Sequence, residues 1–182
     1  MNASDFFARS RVRMGYVLAV VVLWLSRPEP LWILLGAAVG LVGLFVRAVA
    51  AGYLHKQEVL TIAGPYAYTR NPLYLGSSIL ALGAAIAMHS WWSAAILLSF
   101  FALVYSFVMR REETELRLQH PAAFDAYAAA VPLFFPRIAA KHQPGAASFS
   151  WAQYRKNHEH QAAIGFLLFL LALVVIWRLH VA

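Results

Sequence analysis

From Leu31 to Leu54 the chain carries a single charged residue, Arg47, in an otherwise almost wholly apolar run. Two further runs, Trp91 to Met109 and Gln161 to Trp177, contain no charge at all. A bilayer-spanning helix needs about 20 predominantly apolar residues, within a range of about 17–25. In hydrocarbon every backbone N–H and C=O must be satisfied internally, so runs like these fold as helices. Shorter apolar stretches, Met14 to Ser26 and Leu73 to Met88, lengthen to spans if flanking Arg11, Arg13, Tyr74 and His89 reach the interfaces. The expected fold is therefore all-α and polytopic, with about five transmembrane helices in one domain, residues 1–182. Hydrophobic residues make up 62% of the chain against roughly 45–50% in soluble domains, which supports the same reading.

Charge distribution sets the expected orientation. With the N-terminus in the cytoplasm, Arg9, Arg11, Arg13, Arg47, Lys56, Arg70, Arg110, Arg111, Arg117, Arg137, Lys141, Arg155 and Lys156 fall on or toward the inner side. Only Arg27 and Arg178 fall outside, so the C-terminus is outside as well. The net charge of +7 is then accounted for by topology and anionic inner-leaflet lipid rather than by nucleic acid. Such a chain belongs in a bacterial inner membrane. Ser26-Arg27-Pro28 lacks a small-x-small pattern, so the first apolar stretch reads as a retained span, not a cleaved signal. The short links Arg27–Pro30 and His89-Ser90 predict that spans one and two, and spans three and four, pair as antiparallel hairpins. The chain has no cysteine, which excludes disulfides, thiolate metal sites and thiol catalysis. No other metal site is expected, and nothing in the sequence sets the oligomeric state.

Two polar stretches, 55–72 and 110–160, lie on the same side of this topology. Arg111 to Tyr127 has helical character, broken at Pro121 and ended by Pro132 and Pro136. Residues 137–150 turn to Gly, Pro, Ser and Ala, a loop composition. Trp151 to Lys156 then reads as an interfacial helix capped by Ser150. Gly36, Gly40 and Gly43 have the small-residue spacing of close helix packing. Arg47, one turn further and deep in its apolar run, calls for a partner. Either it reaches the inner interface beside Lys56, or it meets a carboxylate of a cofactor or substrate.

The chemistry is concentrated in two segments. In Gly64-Pro65-Tyr66-Ala67-Tyr68-Thr69-Arg70-Asn71-Pro72-Leu73-Tyr74-Leu75-Gly76, the Gly-Pro pair reverses the chain and Pro72 starts the next helix. Arg70 and Asn71 are thereby held at a helix N-terminus, where backbone N–H groups and a permanent guanidinium suit a carboxylate. An arginine meeting lipid phosphate explains the same pattern without a site. Glu112-Glu113 follow Arg110-Arg111 where a span meets the cytoplasm. As a solvated face they would contribute under about 1 kcal/mol per ion pair. Partly shielded, one of them would hold an ammonium or a ribose hydroxyl. Tyr66, Tyr68, Tyr74, Tyr127 and Trp151 offer rings to an adenine or a sulfonium, or serve as interfacial aromatics.

These segments resemble the core of the isoprenylcysteine carboxyl methyltransferase and phospholipid methyltransferase families. The resemblance is strongest over residues 40–137. It rests on Gly43, Arg47, Gly52, Lys56, Leu60 and the loop through Gly76, then on Glu112, Glu113, Leu116, Tyr127, Val131, Pro132 and Pro136. It implies a helical membrane enzyme that uses S-adenosyl-L-methionine at a cytoplasmic site. The residues it implies for the cofactor are Tyr66, Tyr68, Arg70, Asn71, Pro72, Tyr74, Gly76, Glu112, Glu113 and Tyr127, with Arg70, Glu112 and Glu113 catalytic. The chain departs from the pattern at Asn71, where the families often have His. It departs again at His120-Pro121, in place of an aromatic-Gly pair, and at Phe124, in place of Tyr. Asn71 can donate and accept but cannot carry charge.

Methyl transfer from a sulfonium requires alignment and exclusion of water more than acid–base chemistry. A carboxylate acceptor, as in prenylcysteine methylation, needs no base. An amine acceptor, as in phospholipid methylation, must lose a proton, for which His55, His120 and a Glu are candidates. The acceptor is expected to be a lipid or lipid-like molecule entering from the bilayer, with residues 141–160 selecting it. Two other readings stay open. One is a nicotinamide-dependent membrane reductase of sterol or steroid type, with Arg110, Arg111, Arg117 and Lys141 on its phosphates. The other is a non-catalytic membrane subunit.

Overall fold

The computed structural model describes residues 3–55, 59–139 and 148–181, with side chains from residue 14 onward. Lys56, Lys141, the first part of the 141–160 segment and the side chains of Arg9, Arg11 and Arg13 lie outside it. The described residues form helices and no strands: α1 (Ala3–Trp24), α2 (Pro30–Tyr53), α3 (Pro72–Met88), α4 (Trp91–Gln119), α5 (Pro121–Ala130), α6 (Trp151–Lys156) and α7 (His160–Val181). α2, α4 and α7 are long and apolar enough to cross a membrane, and Met14–Trp24 and Pro72–Met88 are shorter apolar helices. This is a polytopic helical membrane protein.

Its most intimate contact is between α2 and α3, and glycine makes it possible. A Cβ on Gly43 would lie 2.6 Å from the Leu80 amide and 2.7 Å from the Gly76 carbonyl. On Gly36 it would lie 2.4 Å from the Gly83 carbonyl, and on Gly83 2.6 Å from the Gly36 carbonyl. Backbone meets backbone along the seam, the arrangement small residues allow in lipid, where packing replaces the hydrophobic effect. The third glycine expected to pack, Gly40, joins the same seam, its amide 2.6 Å from where a Gly83 Cβ would be, and also receives the ring of Phe166 from α7. Gly43→Ala is expected to force the two helices apart at a cost of about 1–3 kcal/mol. Gly165→Ala, where a Cβ meets nothing within 4 Å, should be neutral. Thermal melts of the two variants in detergent check this; equal midpoints would show that the seam is not tight.

The expected hairpin of the first two spans does not form as a packed pair. α1 leads into the short 25–29 link but lies against α4. Ser93 Oγ donates to the Val22 carbonyl at 2.9 Å, and Arg27 N donates to the Met88 carbonyl at 2.9 Å. The glycine face of α2 is occupied by α3 and α7, so the bulkier α1 packs elsewhere. α3 and α4 do pack together. The core at this end joins Val22, Ala85, Ala87, Met88 and Leu173. Outward, Tyr16, Val20, Leu34, Phe45, Leu167 and Leu171 are exposed, as lipid-facing side chains should be.

At the other end of the bundle the polar segments assemble. α4 runs unbroken past Met109 to Gln119, carrying the Glu112-Glu113 pair on a continuation of its span. It stops at His120-Pro121, as Pro121 dictates. α5 folds back, its Phe124, Tyr127 and Val131 making a second small core with Leu60, Ile62 and Leu116. Residues 132–137 then strap the 66–71 loop. Arg70 N donates to the Pro132 carbonyl (2.9 Å), Arg137 N to Tyr68 O (3.1 Å) and Thr69 Oγ1 to Phe134 O (2.8 Å). Ser150 caps α6 as expected, its Oγ accepting from Gln153 N. Asn157 Nδ2 bonds the Ala51 and Leu54 carbonyls at 2.9 and 3.0 Å, satisfying the C-terminal end of α2. Arg47, Arg70, Arg110, Arg111, Arg117, Arg137, Arg155 and Lys156 all belong to this end, Arg27 and Arg178 to the opposite one.

Candidate active site

A cavity of about 540 Å³ opens at this polar end, within the roughly 300–1,000 Å³ usual for small-ligand pockets. α2 with Leu54 and His55, and Val59, Leu60 and Thr61, form one wall. The loop before α3 forms a second, the end of α4 with α5 a third, and the α6–α7 turn a fourth. Pro72 ends the loop by starting α3, so Arg70 and Asn71 stand at the lip of that helix.

Arg70 Nη1 forms an ion pair with Glu113, side chains 15% and 24% exposed, tying the loop to α4. Arg70 Nε is buried and has no hydrogen-bond partner among the described residues. Tyr74 Oη donates to Glu112 Oε1 at 2.7 Å, a second tie between α3 and α4. Tyr105 packs edge-on to Tyr74, ring centroids 5.1 Å apart, and also lines the cavity. Asn71 is buried; its Nδ2 donates to the Leu133 carbonyl at 3.0 Å, so its amide holds the strap while the residue borders the cavity. Tyr127 Oη donates to the Tyr66 carbonyl at 2.7 Å. Burial pushes the Tyr127 phenol well above its usual pKa, with Glu113 adding to the rise and Arg70 opposing it. Burial likewise raises Tyr66, with Tyr127, Glu112, Glu159 and Tyr74 adding to it. Both phenols therefore stay neutral across the physiological range.

Of the residues singled out in the sequence, the structure gathers Tyr66, Arg70, Asn71, Pro72, Tyr74, Glu112, Glu113 and Tyr127 around this one cavity. It does not bring Tyr68 or Gly76 there. Tyr68 is 42% exposed and lies outside the lining, while its carbonyl carries the strap. Gly76 faces α2, where a Cβ would meet Arg47 Cγ at 2.7 Å. Trp151 is also off the cavity, edge-on to Phe149 and Tyr154. His55 lines it and His120 does not.

The structure gives Arg47 a partner within the chain that neither sequence reading named. Glu159, in the turn before α7, takes Arg47 Nε and Nη2 (the latter at 3.0 Å), and Ser77 of α3 takes Nη1. Glu159 is only 6% exposed, and sequence reasoning missed it. It is the sole acidic residue after Asp125, at the threshold of the last apolar run. A lone intramembrane cation and a lone carboxylate at a span's edge were the available signal.

A bundle of apolar helices with a polar, ion-paired cavity at one end defines a helical membrane protein with a candidate site beside the bilayer. The chain belongs to the phospholipid methyltransferase family, whose sequence profile matches residues 12–120. It is similar to the nickel-cobalt-cadmium resistance protein NccN of Alcaligenes xylosoxydans xylosoxydans, at 34% identity over 135 residues, covering 70% of this chain and 63% of that protein. It is also similar to the cobalt-zinc-cadmium resistance protein CzcN of Cupriavidus metallidurans, at 33% identity over 138 residues, covering 70% of this chain and 62% of that protein. The chain thus spans less than two thirds of the length of these relatives. No solved structure matches it. Among the described residues no group of three or more His, Cys, Asp or Glu side chains is placed to hold a metal ion.

Proposed function

We propose that the protein transfers a methyl group from S-adenosylmethionine to a lipid-like acceptor at the membrane surface. The observation that carries this reading is the meeting, around one cavity, of the Arg70–Tyr74 loop and the Glu112-Glu113 pair. The cavity suits the cofactor by size and by its donors. Arg70, with its spare Nε–H, would take the amino-acid carboxylate. Glu113 would take the ammonium or a ribose hydroxyl, and the Tyr74 and Tyr105 rings a π surface. When bound, S-adenosylmethionine supplies a methyl group already activated by its positive sulfur.

The chain's own residues then position and exclude. The α3–α4 ties through Tyr74–Glu112 and Arg70–Glu113 fix the wall against which the ligand is aligned. Phe124, Tyr127 and Val131 back that wall with a dry core. If the acceptor is an amine, His55 is the base within the cavity. Its Nδ1 sits 3.0 Å from the Tyr53 carbonyl, so the tautomer that donates there leaves Nε2 to receive a proton. The cavity end faces the cytoplasm of a bacterial inner membrane in this proposal, because the basic side chains collect there. Cobalt and cadmium stand in the names of both relatives. Membranes of cells grown with and without these metals are therefore the place to seek the acceptor.

Calorimetric titration of the detergent-purified protein tests the reading, with S-adenosylhomocysteine and NADPH as parallel ligands. Binding of S-adenosylhomocysteine alone is expected. Binding of NADPH alone would move the protein to the reductases, and binding of neither by a folded sample would favour a non-catalytic role.

A further inference from the structure

Tyr66 is 7% exposed and lines the cavity, and its hydroxyl is inaccessible to solvent with no hydrogen-bond partner among the described residues. Leaving a buried hydroxyl unsatisfied costs about 1–3 kcal/mol, so native structures keep few of them without a use. The hydroxyl is not placed there by slack. Gly64 turns the chain at φ +59°, with the Tyr53 ring 2.7 Å from where its Cβ would be. Tyr66 N then donates to Ala63 O at 3.2 Å, and Tyr127 Oη holds the Tyr66 carbonyl at 2.7 Å. A fixed backbone holds an unbonded phenol within the wall of the cavity.

The charges around it are lopsided. Four carboxylates line the cavity, Glu112, Glu113, Glu115 and Glu159, against the guanidiniums of Arg47 and Arg70. Arg47 is clasped by Glu159 and Arg70 by Glu113, while Glu115 pairs with Arg111 at 2.8 Å. Glu112 has the neutral hydroxyl of Tyr74 as its hydrogen-bond partner. Its charge bears on the Tyr66 phenol, as does that of Glu159. Tyr66 and Glu112 thus line the same cavity, and Glu112 is a carboxylate to which no guanidinium among the described residues is bonded.

We infer that Tyr66 Oη and Glu112 form the subsite that receives the positive centre of the ligand, so that the cavity distinguishes a sulfonium from the neutral thioether left after its methyl is lost. This rests on the methyl-transfer reading and adds to it a means of product discrimination. The phenol oxygen offers lone pairs to a cation, and Glu112 offers its charge. A neutral thioether gains nothing from either group.

The test compares three probes on the same folded protein. They are S-adenosylmethionine, S-adenosylhomocysteine and sinefungin, which carries an ammonium on carbon in place of the methyl on the positive sulfur. The two cations are expected to bind about tenfold more tightly than S-adenosylhomocysteine. Tyr66→Phe and Glu112→Gln should each bring that ratio toward one, with S-adenosylhomocysteine affinity changed less than about threefold. Tyr66→Phe removes only an unpartnered hydroxyl, so its thermal midpoint should match or exceed that of the wild type. A wild-type ratio near one, or equal weakening of all three probes by Tyr66→Phe, would overturn the subsite while leaving the cofactor reading intact. Failure of all three probes to bind would overturn both.

Discussion

Replacing Glu159 by alanine is expected to destabilise the protein by about 3 kcal/mol, a drop of roughly 6–12 °C in melting midpoint for a chain of this size. The carboxylate takes two donors of Arg47, and Ser77 takes a third. Those contacts bind α2, α3 and the α6–α7 turn at one point. Without Glu159 the guanidinium keeps only a neutral hydroxyl in a largely shielded position. Removing one member of a buried pair typically costs about 3–5 kcal/mol, because the other charge is stranded. The low end applies here because the Arg47 side chain is 22% exposed and can lean into the cavity. Removing both charges, as in Arg47→Met with Glu159→Leu, strands nothing. Most of the lost stability should return in that double variant. A Glu159→Ala protein that melts with the wild type would show that the pair does not hold the C-terminal helix.

That ion pair also marks where sequence reasoning stops. Arg47 in an apolar run announces that a partner must exist, since a membrane-embedded cation is costly alone. Nothing local says which carboxylate, because Glu159 is more than a hundred residues away and brought near only by the packing of α7. The long helices were legible because hydrophobicity and length alone force them. Glycines at 36, 40 and 43 announced close packing on one face of α2 but did not name α3 as the partner. The α1–α2 pairing was misjudged because a short link keeps two helix ends close but does not choose which faces pack. The cavity-lining residues in the 64–76 loop had no periodicity to sort them. In a 3-10 turn followed by an irregular stretch, Tyr66 faces inward and Tyr68 outward, although both looked equally suited to a ring contact.

Replacing Arg70 by alanine is expected to weaken S-adenosylhomocysteine binding about 100-fold, and the reason lies in the division of its donors. Nη1 belongs to Glu113, whereas Nε is buried with no partner among the described residues. A ligand carboxylate arriving at the lip of α3 would therefore meet an N–H that gives up no existing bond. Truncating one member of such a charged, desolvated contact costs about 2–5 kcal/mol. Stability should suffer less, by about 1–2 kcal/mol, since the stranded Glu113 is 24% exposed and reaches water more easily than Glu159 does. Arg70→Lys separates charge from geometry. It keeps a cation for Glu113 but loses the planar fork and the Nε–H, so a melting midpoint near the wild type should accompany about tenfold weaker binding. Calorimetric titration and melting of the same preparations read both quantities. If Arg70→Lys and Arg70→Ala melt lower but bind as the wild type does, Arg70 only ties the loop to α4, and the carboxylate seat must be sought elsewhere on the cavity wall.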